Sequence, residues 1–569
     1  METLKSIDKS LTVCKIPATV EYIEEKAFLC CSNLESIECE SDFFKLIDGV
    51  LFTADGKTLV RYPPKKSGTH YVVPDSVVNI RSFAFENCEF LENIILPDSL
   101  TTIGKRAFYN CKSLQGIILP NSITKICEAT FYDCYGLKKI KLPDTLLKID
   151  RSAFEYCKSL REIDLPNSIT EMGDSVFGNC KSLRKINIPT SLEYIPACAF
   201  FSCIRLKNIT LPNSIRHIRN RAFAGCELLR EIKLSEGLID IDSDAFARCE
   251  SLDMIELPNS IVSINDRAFW RCESLETIKL PNSIQHIGYS VFEHCKFLEA
   301  IECNNEYYCT INGVLFDKKE KKCIGYPPGR IERSYVIPDG TLAVGGDAFA
   351  SCCDLDEIIL PTSVQTLEDR AFQDCWGLKS IKLPDQLNSI APAAFRDCLS
   401  LNSIECDSSF FKSIDGVLFT ADLKTLVCYP QGRYCENYVI PDSVIKMAKE
   451  AFSSEDLSRS CERVTLPKSL TEFDTKTFHF HEELKWIECD NEHYKSIDGV
   501  LFTADCKTLV YYPRGRKDSQ YIIPDTVTKI ENRAFALNRY LHKIIVPKDR
   551  MEDFIKMFPE DNEYELAKA

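Results

Sequence analysis

Apolar and polar residues along this chain follow a short unit that recurs. In Leu160-Arg161-Glu162-Ile163-Asp164-Leu165-Pro166, Leu160, Ile163 and Leu165 point one way and Glu162 and Asp164 the other. A period of two predicts a short, half-buried strand. Pro166 ends it by removing a ladder donor, and Asn167-Ser168 predicts a turn made by side-chain bonds to the local backbone. Ile169 and Met172 return to the core. Val176-Phe177-Gly178-Asn179-Cys180 predicts a short helical turn that carries Phe177 and Cys180 inward before the next strand opens at Leu183.

The unit repeats in phase. Pro97, Pro120, Pro143, Pro166, Pro189, Pro212, Pro258 and Pro281 lie on a 23-residue interval with Ser235 filling one gap, and the series Phe108 to Phe292, Cys111 to Cys295 and Leu114 to Leu298 keep the same step. Fixed-interval self-similarity in four residue types predicts a solenoid. One such coil cannot bury its Leu, Ile, Phe and Cys alone, so hydrophobic free energy appears only when coils stack. The fold class expected is a leucine-rich-repeat solenoid, a β-rich right-handed superhelix of 23-residue coils with short helical turns.

Four related blocks interrupt the series, and each is read as an elongated β-hairpin coil, near 40–74, 304–338, 407–441 and 490–524. The first reads Ile47-Asp48-Gly49-Val50-Leu51-Phe52-Thr53-Ala54-Asp55-Gly56-Lys57-Thr58-Leu59-Val60-Arg61-Tyr62-Pro63, where two β-rich runs flank the Ala-Asp-Gly-Lys turn. Because the coil signature resumes in phase after each block, one solenoid is expected over 1–547. Met551, Phe554, Ile555 and Phe558 at helical spacing, before Pro559, predict a C-terminal capping helix within 548–569.

Composition narrows the function classes. With 45% hydrophobic and 27% charged residues and a net charge of -15, the chain is expected to fold and to carry an acidic field that disfavours nucleic acid. No apolar run is long enough to span a membrane as a helix, and no export signal or anchor is visible, so membrane insertion is not expected. The 29 cysteines fall mostly one per coil, with parallel Cβ vectors about 4.8 Å apart, a spacing that disfavours disulfides. They are expected to form a buried ladder of free thiols, with one buried and one exposed thiol at Cys30-Cys31 and at Cys352-Cys353. His217 and His286 share a coil position three units apart, and His479-Phe480-His481 lacks the i, i+4 pair of a helical zinc site, so they read as surface histidines. No nucleophile elbow, phosphate loop or carboxylate pair stands out, so no enzyme, cofactor or metal is expected.

The unit Leu-x-x-Ile-x-Leu-Pro-x-Ser-Ile-x-x-Ile-x-x-x-Ala-Phe-x-x-Cys, as at Leu137 to Cys157, together with the Asp-Gly-Val-Leu-Phe block, as at Ser413 to Tyr429, resembles the BspA-like, or Treponema pallidum type, class of leucine-rich repeats. The resemblance runs from about Ile16 to about Pro547 and departs from the consensus around Ala451 to Trp486. It implies a surface or secreted protein of a host-associated microbe that adheres to host components or to other cells.

The outward strand positions are the expected site. Ile95, Ile118, Lys141, Asp164, Asn187, Thr210, Lys233, Glu256, Lys279 and Glu302 occupy one position in successive coils, on what is expected to be the concave face. From Lys233 to Glu302 the sign alternates, which predicts cross-strand neutralisation. Ile95 and Ile118 beside Gly116 predict a small apolar spot. Phe43, Tyr307, Phe410 and Tyr494 are a rival contact patch, at least half of them expected to fill the core. The function expected is non-enzymatic binding of a protein or cell-surface ligand by a monomer. A second reading is an intracellular scaffold for protein assembly.

Overall fold

The computed structural model describes residues 2–452, 461–478, 481–536, 538–547, 550–557 and 565–568. The chain divides into two compact units, Met1–Tyr307 and Tyr308–Ala569. Each is a β-solenoid with almost no helix.

In the first unit the regular coils carry two short parallel ladders and a wall of turns, although residues 253–256 form no face strand. The face ladder contains β1 (His70–Val72), β2 (Asn93–Ile95), β3 (Gly116–Ile118), β4 (Lys139–Lys141), β5 (Glu162–Ile163) and β6 (Lys185–Ile186). Ile94, Ile117, Ile163 and Ile186 are buried and the residues beside them turn outward, as the alternation predicts, whereas Ile140 of β4 is only partly buried. The second ladder is built from two-residue strands such as Lys125–Ile126, Lys148–Ile149 and Glu171–Met172, paired in register. It carries the expected inward Ile and Met and adds a strand that the sequence reading did not assign.

The expected short helical turn is corrected. Ser175 and Asn179 are left-handed, with φ of 55° and 60°, which no helix tolerates. Ser175, Phe177 and Asn179 donate their N–H groups to Ala197, Ala199 and Phe201 of the next coil at 2.8, 2.9 and 2.6 Å, while Gly178 and Cys180 turn back to Ser175 and Phe177. Donors therefore alternate between a local turn and the neighbouring coil. The wall bonds coil to coil much as a sheet does.

Three side-chain columns reinforce the stack. The rings from Phe85 to Phe292 lie nearly parallel, with centroid spacings such as 5.4 Å for Phe131–Phe154 and 5.5 Å for Phe154–Phe177. Each column cysteine donates its S–H to the carbonyl of the Phe one coil back, as Cys157 does to Phe131 at 3.1 Å and Cys180 to Phe154 at 3.2 Å. The turn serine was expected to bond its own turn. Ser168 instead donates its hydroxyl to Leu146 of the preceding coil at 2.7 Å, so this residue ties coils together.

Each elongated block is a three-stranded antiparallel meander. In the first, Phe44–Ile47, Val50–Thr53 and Thr58–Arg61 pair in order, and the last strand joins Asn79–Ile80 of the second ladder. The first connection is Asp48-Gly49, with φ of 50° and 73°, a type I′ turn. In the second unit this turn lies against the preceding face strand, where Ile404 and Ile487 donate to Gly416 and Gly499 at 2.9 and 3.1 Å. A Cβ on Gly499 would fall 2.6 Å from the Trp486 ring, so glycine meets both the φ and the space. Arg433 and Arg516 pin the turns by donating to the carbonyls of Asp415 and Asp498.

The second unit ends in helix α1 (Met551–Met557), whose Phe554 is buried, and then the strand Glu565–Lys568, which pairs with Lys543–Val546. Helix therefore covers only part of the segment expected to be a capping helix over 548–569, and a further rung follows it. Phe558 and Pro559 lie outside the described residues. So do 453–460, 479 and 480, in the stretch that departs from the consensus, where the face-strand offset rises from 23 to 26 residues between Asn437 and Arg463.

Candidate functional site

The outward positions of the first unit's face ladder form a column of exposed side chains. Ile95, Ile118, Lys141, Asp164, Asn187, Thr210, Lys233, Glu256, Lys279 and Glu302 are all exposed there. Ile95 and Ile118 are 63% and 65% accessible, and Val72, in register with Ile95, is 62%. The expected apolar spot is thus a ladder of three β-branched residues over β1 to β3. Val72 was missed because its sequence context, Tyr71-Val72-Val73-Pro74, was read only as a strand entry. The equivalent first strands after the later blocks expose Val336, Val439 and Ile522.

The column is not one continuous sheet. β1 to β4 pair as a four-stranded sheet that stops at β4, and β5 with β6 forms a separate pair. Thr210 lies beside Lys233, and Lys279 beside Glu302, in two further pairs. Glu256 sits where residues 253–256 form no strand. Asn187 is committed to the scaffold: its amide accepts from the Leu165 N–H at 2.8 Å and donates to the Leu165 carbonyl at 2.7 Å, taking the place of a ladder rung.

The charges along this column make no direct ion pairs with one another. Among the described residues no ion pair joins Lys141, Asp164, Lys233, Glu256, Lys279 or Glu302 to another member of the column. Cross-coil pairing is found on other walls, as between Arg151 and Glu128 at 2.7 Å and between Lys105 and Glu128 at 3.3 Å. The face therefore keeps its charges available.

A cleft of about 430 Å³ opens where β4 and β5 fail to pair. Lys139 and Lys141 line it from one coil, with Asp144 following their strand, and Glu162 and Asp164 line it from the next, with Ile140 and Leu142 among its apolar residues. Ile140 is partly exposed there, whereas its counterparts Ile117 and Ile163 are buried. The same coils remain bonded through the second ladder, so only the face is open.

The other singled-out residues fall elsewhere. Phe43, Tyr307 and Phe410 are exposed while Tyr494 is half-buried, its hydroxyl accepting from the Phe473 N–H. Core filling thus applies to only one of the four. The strand pleat buries the following residues Phe44, Tyr308 and Phe411 instead. No disulfide joins any of the cysteines; Cys30 is exposed beside buried Cys31, and buried Cys352 lies beside half-buried Cys353. Burial pushes the Cys157 and Cys180 thiols far up and Cys295 to about 12, which suppresses thiolate chemistry. His217 meets the Asp240 carboxylate one coil on. His481 is no surface residue: it is buried against Phe452 and Phe478, and burial pushes its imidazole down to about 4.

A family model described as BspA type leucine rich repeat region, in 6 copies, matches residues 6–56, 65–184, 193–321 and 333–432. No curated protein matches the chain. Among solved structures it is similar to a leucine-rich repeat protein from Bacteroides ovatus, with 26% identity over 75% of this chain and 93% of that one and a TM-score of 0.47. It is also similar to a leucine rich cell surface protein from Faecalibacterium prausnitzii, with 21% identity over 79% and 95% of the two chains and a TM-score of 0.34. A leucine-rich repeat protein from T. pallidum matches at 24% identity over 45% of this chain and 86% of that one, with a TM-score of 0.27.

Proposed function

The chain belongs to the BspA-type leucine-rich repeat family, and on that premise we propose that it is a non-enzymatic binding protein that presents the open face of its first unit to a protein or cell-surface ligand. Leucine-rich repeats are typically binding scaffolds, a role that suits a rigid stack whose side chains are spent on packing. The observation that carries the reading is the face column, where exposed Val72, Ile95 and Ile118 adjoin charges that make no ion pairs with one another along the column. Contiguous exposed apolar residues beside available charges are what an interface core and rim require. Adhesion at a cell surface is the finer form of this proposal, and its support is the family resemblance alone. Among the described residues no helix is long and apolar enough to cross a membrane.

An intracellular assembly scaffold is the second reading, favoured by the free thiols, since such cysteines persist in reducing compartments. Cell fractionation, with mass spectrometry of the native N-terminus, separates the two.

Charge reversal tests the face. Changing Lys141, Lys233 and Lys279 together to Glu is expected to weaken capture of a ligand identified with the unmodified protein by about a hundredfold, at about 1 kcal/mol per reversed rim charge. Surface plasmon resonance on that ligand reads it. Reversal of Lys105 and Lys158 on the turn wall should leave capture unchanged, and equal loss from both sets would move the site off this face.

A further inference from the structure

The cleft between β4 and β5 combines four features. Its walls carry like-charged doublets of opposite sign, Lys139 with Lys141 and Glu162 with Asp164, an arrangement that no other adjacent pair of coils in the first unit repeats at these outward positions. Among the described residues no ion pair bridges the doublets, although opposite charges in adjacent coils pair readily on the turn wall. Both bordering strands end their ladders here, so β4 and β5 turn unpaired main-chain edges toward each other. Between them, partly exposed Ile140 gives the floor an apolar surface.

Each feature selects a chemistry. Opposed charged walls hold a dipolar ligand better than a neutral or singly charged one. Unpaired strand edges offer N–H and C=O groups that match another main chain. The apolar floor takes an aliphatic side chain, and a volume of about 430 Å³ falls within the range of small-ligand sites. We propose that this cleft binds a short zwitterionic peptide, its carboxylate toward Lys139 and Lys141, its ammonium toward Glu162 and Asp164, and an aliphatic side chain on Ile140. The proposal rests on this face being the working one and shares Lys141 and Asp164 with it, but it needs no protein partner.

Leucyl-leucine titrated into the full chain, followed by saturation-transfer NMR, tests it. Binding at millimolar concentration is expected. N-acetyl-leucyl-leucine and leucyl-leucinamide, which each lack one charge, should bind about tenfold more weakly, as loss of one charge-assisted hydrogen bond requires. The pairs Lys139→Gln with Lys141→Gln, and Glu162→Gln with Asp164→Asn, should each cost a similar factor. All four residues are exposed, so the thermal midpoint of each pair should match that of the unmodified protein. No binding of leucyl-leucine, or equal binding of the blocked peptides, overturns the proposal. Such a failure leaves protein capture through Lys233 and Lys279 standing, and loss of that capture leaves the dipeptide titration unaffected.

Discussion

Replacing Phe154 by alanine should lower the stability of the first unit by about 3–5 kcal/mol, the range for removing a buried aromatic side chain. Phe154 is fully buried, and its ring lies 5.4 Å from Phe131 and 5.5 Å from Phe177. Truncation removes contacts on both sides of a column that continues in either direction, and the flanking rings cannot collapse inward because alternate turn-wall donors fix their backbones to the adjoining coils. Since each coil touches only its neighbours, the loss should concentrate nearby. Hydrogen exchange should show the amides of residues 131–177 opening far more readily, while those of the coils beyond Phe223 change little. A loss below about 1 kcal/mol would mean that the column does not carry the stack.

Acid should weaken the second unit around His481 by about 3 kcal/mol. The folded imidazole is held near 4, against an ordinary value of 6.5, chiefly by burial and further by the Arg514 charge. The native coil therefore holds His481 neutral, whereas the unfolded chain binds a proton once the pH drops below 6.5. The stability from this residue is complete above that value and drains away as the pH falls toward 4. Hydrogen exchange of residues 481–500 at pH 7 and pH 4.5, compared between the unmodified chain and His481→Gln, isolates the effect. The pH-dependent difference should largely vanish in the variant, and an identical acid response in both would remove His481 as its source.

Periodicity made most of the coil legible. Pro, Phe, Cys and Leu at one interval gave the repeat, the inward column and the free thiols, because each depends only on which residues face a shared core. The turn wall was less legible. Its left-handed positions are filled by Arg106, Ala129, Ser152, Ser175 and Arg221, residues that advertise no positive φ, since inter-coil bonds impose the conformation. The elongated blocks carried a stronger signal than the one first read: Asp48-Gly49 is itself a hairpin turn, and it makes the block a meander. His481 misled because it fills the cysteine position of the Phe-x-x-Cys-x-x-Leu unit, between Phe478 and Leu484, and was read by its residue type as a surface histidine instead of by its place in the inward series.

The face was legible as a column but not as a surface. Alternating signs suggested neutralisation, yet even Lys279 and Glu302, in register on paired strands, make no direct ion pair, and coil-to-coil ion pairs are found on the turn wall. Asn187 looked like an available amide and is used as a rung. The cleft could not be read from sequence, because it arises where two strands stop pairing, and nothing in Lys139-Ile140-Lys141 or Glu162-Ile163-Asp164 states that they will.

Alkylation of the native protein with a small thiol reagent, followed by mass spectrometry, tests register stacking most directly. Cys30 should label quickly, while Cys111, Cys134, Cys157 and Cys180, each buried and each bonded to a carbonyl one coil back, should stay unmodified until the chain is denatured and then all react. Labelling of these four at the rate of Cys30, or recovery of a Cys111–Cys134 disulfide-linked peptide, would contradict the stack on which both the fold and the open face depend.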